Sequence, residues 1–143
     1  MTGPCLLGLA GCLLLAGCGS GGQETLSKAV KDAGSAVATA RLALDLESSG
    51  QLTSAAATTA LGDMVKDVNS SRTTVQDLSP DTPESRGARQ ASLDVLNGCV
   101  TGILTAQEAV DSTDGSPAAS DAERMLAASA RDLDELSTRL GAG

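Results

Sequence analysis

Residues 25–48 read TLSKAVKDAGSAVATARLALDLES, and the apolar positions in this stretch are Leu26, Val30, Ala33, Val37, Ala40 and Leu44. Their spacing is 4, 3, 4, 3, 4. Such spacing puts all six on one side of an α-helix as a continuous seam, which no strand with its two-residue alternation would do. The stretch therefore predicts a helix over 25–48, with Gly50 behind Ser48-Ser49 as its stop.

The same rhythm recurs three times. Ala57, Leu61, Met64, Val68, Ser71, Val75 and Leu78 predict a helix over 52–78 that ends before Pro80. Ser79-Pro80-Asp81-Thr82-Pro83-Glu84 is both a turn and a new start: Thr82 as N-cap, Pro83 at the first helical position, Glu84 in the first turn. Leu93, Leu96, Val100, Ile103, Gln107 and Val110 then form the seam of a helix over 83–112. Asp114-Gly115-Ser116-Pro117 repeats the stop and start, with Ser116 capping and Pro117 leading a last helix over 117–140. Its seam is Ala119, Ala122, Leu126, Ser129, Leu133, Leu136 and Leu140. Four helices of similar length joined by short links imply an all-α, antiparallel up-down-up-down four-helix bundle spanning 25–140.

The core of such a bundle is narrow, built from Leu, Val and Ala. Gly34, Gly62, Gly87, Gly98 and Gly102 fall inside the predicted helices, each at a cost of about 1 kcal/mol relative to Ala. Gly98 and Gly102 stand four apart, so a neighbouring helix is expected to approach closely over both. The polar seam residues Ser71, Gln107 and Ser129 are expected at the edge of the core rather than in a buried polar layer.

The residues before the first helix have a different chemistry. From Cys5 to Cys18 the chain is apolar or Gly for 14 residues. That is short of the roughly 20 needed for a permanent membrane span, and suits the apolar region of a signal peptide. It ends in Leu15-Ala16-Gly17-Cys18 and gives way to Gly19-Ser20-Gly21-Gly22. The tetrapeptide resembles the lipobox of bacterial lipoproteins: a Leu, two small residues, and the Cys that becomes residue one. The resemblance covers only about the first 18 residues. It implies that residues 1–17 are a signal peptide cut after Gly17, that Cys18 carries a thioether-linked diacylglycerol, and that 18–24 form a lipidated, flexible tether. A second such tetrapeptide, Leu9-Ala10-Gly11-Cys12, has too little apolar sequence before it and would leave Leu13 to Leu15 on the mature chain. The expected location is the extracytoplasmic face of the cell membrane, held by two acyl chains where one would be marginal.

Composition narrows the function. Cleavage at Cys18 leaves 143 − 17 = 126 residues carrying the whole net charge of −8, since no charged residue precedes Gln23. Nucleic acid is thereby disfavoured as a partner, because phosphate contacts require clustered Lys and Arg. The chain has no His, hence no ordinary general base near neutral pH and no imidazole for a metal or haem. It has no Phe, Tyr or Trp, hence no stacking platform for sugars or bases. Neither catalysis nor a cofactor is expected.

The individual candidates are weak. Asp132 and Glu135, with Asp134 beside them, could share a helix face and hold a hard cation, but such runs are usually solvated. Asp111-Ser112-Thr113-Asp114-Gly115 resembles a calcium loop only until Gly115 is set at the invariant glycine, which puts Val110 at the first ligand position. A Ser–Lys nucleophile would have to draw on Lys28, Lys31 or Lys66, and nothing selects one. With Cys5 and Cys12 removed and Cys18 lipidated, Cys99 has no partner and is expected to act as a small hydrophobe. The expected role is a non-catalytic interaction or scaffold module, anchored in the membrane and binding another envelope protein or itself. The alternative is a bundle that opens for a lipid or small apolar ligand.

Overall fold

The computed structural model of the chain describes residues 20–141. They form four helices: α1 Ser20–Ser48, α2 Ser54–Gln76, α3 Pro83–Asp111 and α4 Ala119–Gly141. There is no strand among the described residues.

Each junction has a local cause. At the end of α1, Gly50 takes φ +74°, a left-handed conformation that suits a residue without Cβ. Its N–H donates to the Glu47 carbonyl at 2.9 Å and that of Gln51 to the Leu46 carbonyl at 2.8 Å, closing a Schellman motif. Thr53 caps α2, its hydroxyl accepting from the Ala56 N–H at 3.2 Å. Thr82 caps α3 in a reciprocal box: its hydroxyl accepts from the Ser85 N–H while the Ser85 hydroxyl accepts from the Thr82 N–H, both at 3.1 Å. Pro83 leads that helix.

Three starts differ from the sequence reading, that of α2 because Thr53 caps it and the helix begins at Ser54 rather than Leu52. α1 begins at Ser20 rather than Thr25, so Gly21 and Gly22 are helical. Tertiary contact explains this against their poor propensity: Gln23 Nε2 donates to the Leu140 carbonyl at 2.8 Å, tying the first turns of α1 to the end of α4. α4 begins at Ala119 rather than Pro117, and Ser116 does not cap it. The Ser116 N–H is instead committed to a turn, donating to Ser112 Oγ at 2.9 Å and Asp114 Oδ1 at 3.1 Å. The Ser116–Pro117 peptide bond is cis.

α1 packs against all three other helices, α3 against all three as well, while α2 and α4 do not touch. The cross-section is a rhombus with α1 and α3 on its short diagonal. Side-chain size accounts for the shape, since interaxial distance follows the residues at the contact. α1 buries Ala29, Ala33, Ala36, Ala40 and Ala43 alongside Leu26, Val30, Val37 and Leu44. α3 buries Ser92, Cys99, Gly102 and Ala106 alongside Leu96 and Ile103. These small residues let neighbouring helices come close: Gly102 of α3 lies against Ser129 and Leu126 of α4.

Candidate functional site

Gly17 and Cys18, the residues assigned to cleavage and lipidation, lie outside the described residues. The other candidates can be placed. Lys28 pairs with Asp32 at 2.6 Å and Lys66 with Asp63 at 2.9 Å, all four side chains more than half exposed. The Lys66 ammonium is held charged to higher pH than usual by the hydrogen bond it donates to Asp63 and by that carboxylate's charge. That shift runs against Lys66 acting as a base, and Lys31, the third candidate, is exposed. Asp132 and Glu135 share one cation: Arg131 reaches Asp132 at 3.1 Å and Glu135 at 3.9 Å. Among the described residues no three acidic, thiol or imidazole side chains come together as metal ligands.

The 111–116 loop is closed on itself. Thr58 donates to Asp111 at 2.6 Å and Ser112 to Asp114 at 2.9 Å. The Ser112 hydroxyl and then the Ser116 N–H hold the Asp114 carboxyl below its ordinary pKa.

Cys99 is fully buried in the core. Burial pushes its thiol up to about 11, only partly offset by the hydrogen bond to Ser129, so at neutral pH it carries its proton and is a poor nucleophile. Ser129 also abuts Gly102, where an added Cβ would stand 3.4 Å from its Oγ and 3.5 Å from Leu126 Cδ2. Gly98, by contrast, faces open space. The close approach expected over both glycines involves Gly102 alone. The edge position expected for the seam serines is corrected too: Ser71 and Ser129 are buried, and only Gln107 is half-buried, donating to the Thr58 carbonyl at 3.3 Å. Hydroxyls are small enough to sit in the seam of so narrow a core.

One recess was not foreseen. At the end of the bundle where α1 begins, a cavity of about 520 Å³ opens between the first turns of α1, the 78–85 connection, the start of α3 and the end of α4. Leu26, Leu78, Pro80, Ala88 and Leu140 give it an apolar wall; Arg89 and Arg139 stand against Asp81 and Glu84 around it. Arg89 is fixed, its Nε donating to the Val75 carbonyl at 3.1 Å and Nη2 to the Gln76 carbonyl at 2.7 Å, so it caps α2 from α3. Arg139 is exposed and forms no salt bridge among the described residues. Four separate segments meet here, and no local pattern announces such a meeting. A shallower groove of about 460 Å³ runs between the second half of α1 and the start of α4, past Ala38, Leu42 and Glu123. Among the described residues Leu42 and Leu104 are the large hydrophobics left exposed, at 56% and 42%.

No family model, curated protein or solved structure matches the chain. Among the described residues no helix is long and apolar enough to cross a membrane.

Proposed function

We propose that the chain is a lipoprotein held on the extracytoplasmic face of the cell membrane by diacylglyceryl-modified Cys18, and that its bundle is a non-catalytic interaction module. The observation that carries this reading is Leu15-Ala16-Gly17-Cys18 at the end of an apolar run, two residues before the first turn of α1. Hydrophobicity elsewhere offers no substitute for a covalent anchor, and the net charge of −8 repels anionic lipid. The helices run up-down-up-down. This topology is supported by the bonds that join α1's start to α4's end, α2's end to α3's start, and α2's start to α3's end.

Leu42, beside Ala38 in the α1–α4 groove, is the natural contact for a protein partner or a second copy. Without aromatic anchors such contacts are weak singly and depend on several acting together. The intact mass of membrane-extracted protein tests the anchor: a chain starting at diacylglyceryl-Cys18 is expected, and an unmodified chain starting at Met1 or Thr2 would overturn it. In-cell cross-linking then tests the module, with partner adducts expected to fall on Leu42→Asp. A second reading, binding of a lipid or small apolar ligand, is favoured by the cavity near Leu26 and Leu140. Thermal stability that rises with a membrane-lipid extract, and with no protein partner, would favour it over the first.

A further inference from the structure

We infer that the cavity end of the bundle rests on the bilayer and that the cavity admits an acyl chain of a membrane phospholipid. The inference rests on the lipid anchor proposed at Cys18. Consecutive Cα atoms are about 3.8 Å apart, so Cys18 lies within about 8 Å of the first residue of α1. Gly22 and Gln23, less than two turns further on, already line the cavity. α1 is 29 residues long, which puts its opposite end about 43 Å away. An anchor with so little chain between it and a rigid helix brings the cavity end, and not the 49–53 turn, to the membrane.

The chemistry of that end suits its neighbour. Its apolar wall matches an acyl chain, and about 520 Å³ falls within the roughly 300–1,000 Å³ of small-molecule sites. The two arginines and two acids that line it balance, whereas the chain as a whole carries −8, so the lining adds no net charge to repel an anionic surface. Arg139, exposed and in no ion pair among the described residues, is available to a lipid phosphate as a charge-assisted donor.

The test uses the full, membrane-extracted protein, its Cys18 lipid verified by intact mass, in vesicles of phosphatidylcholine and phosphatidylglycerol. The vesicles carry a phosphatidylcholine with a diazirine in its acyl chain, so that only bilayer lipid, and not the lipid on Cys18, can leave an adduct. After irradiation, adducts are expected on the tryptic peptides 73–86 and 140–143, several-fold above those on 42–66. Ala88→Trp, which fills the cavity, is expected to lower the adducts on 73–86 several-fold. Arg139→Glu, an exposed change that leaves the core untouched, is expected to lower them as well. Adducts concentrated on 42–66, or adducts on 73–86 indifferent to both variants, would overturn the inference while leaving the anchor intact. An unlipidated Cys18 would remove the anchor and the inference together.

Discussion

At the scale of single residues, Gly98 and Gly102 separate propensity from packing. Both occupy α3, and both lack the side chain that would help a helix form. Gly98 opens onto empty space, so Gly98→Ala is expected to raise stability by about 0.5–1 kcal/mol in urea unfolding followed by far-UV circular dichroism. At Gly102 the new methyl meets Ser129 Oγ at 3.4 Å, so Gly102→Ala gains less than Gly98→Ala, and Gly102→Leu loses about 1–3 kcal/mol by overpacking. A destabilising Gly98→Ala would mean that a helix does press on that position. Cys99 provides a pH test. Its folded pKa of about 11 lies above the 9.0 of an unperturbed thiol, so the folded chain holds the proton more tightly. The resulting stability is complete below pH 9 and drains away as pH rises towards about 11. The two units between those values amount to roughly 3 kcal/mol. Cys99→Ala has a constant cavity cost but no thiol to ionise, so its deficit relative to wild type is expected to shrink across that window; a parallel pair of curves would assign the pH dependence elsewhere.

At the scale of elements, the helix ends carry their own chemistry, and Thr82 is the best isolated case. Its hydroxyl and that of Ser85 satisfy each other's N–H groups with no help from the core. Thr82→Ala is therefore expected to cost about 1 kcal/mol, and Thr82→Ser almost nothing. Gly50→Ala forces a Cβ into φ +74° and is expected to cost a further 1–2 kcal/mol by the same assay. These ends were legible in the sequence because Pro, Gly and Thr act locally. Seams were legible where large apolar residues mark the centre of the buried face: Ala57, Leu61, Val68 and Val75 of α2, and Ala122, Leu126, Leu133, Leu136 and Leu140 of α4, are all buried. In α3 the reading drifted by one position. Leu93, Val100 and Val110 are only half-buried, and the centre of the face runs through Ser92, Leu96, Cys99, Ile103 and Ala106. Hydrophobicity points at Leu93, Val100 and Val110, which here flank the buried face, while its centre also takes small side chains such as Ser92, Cys99 and Ala106.

At the scale of the whole molecule, the α1–α3 contact is a property of the rhombus and not of any one helix. α1 and α3 touch across its short diagonal, and both bury small residues; the cavity where α1 begins escaped the sequence because recesses depend on how four helix ends splay, while periodicity fixes each helix alone. The diagonal can be tested by size. Ala40 is fully buried and Ala38 is exposed on the same helix two residues away. Ala40→Leu adds three carbons where the surrounding core has no room, and is expected to lose about 1–3 kcal/mol as the helices are driven apart. Ala38→Leu adds the same three carbons at the surface, where the change is expected to stay within about 0.5 kcal/mol. Far-UV circular dichroism suits both measurements, because the chain has no aromatic residue to report by fluorescence. Equal losses at the two positions would show that helix propensity, not the diagonal, sets the tolerance; a loss confined to Ala40 assigns the narrowness of the bundle to its small residues.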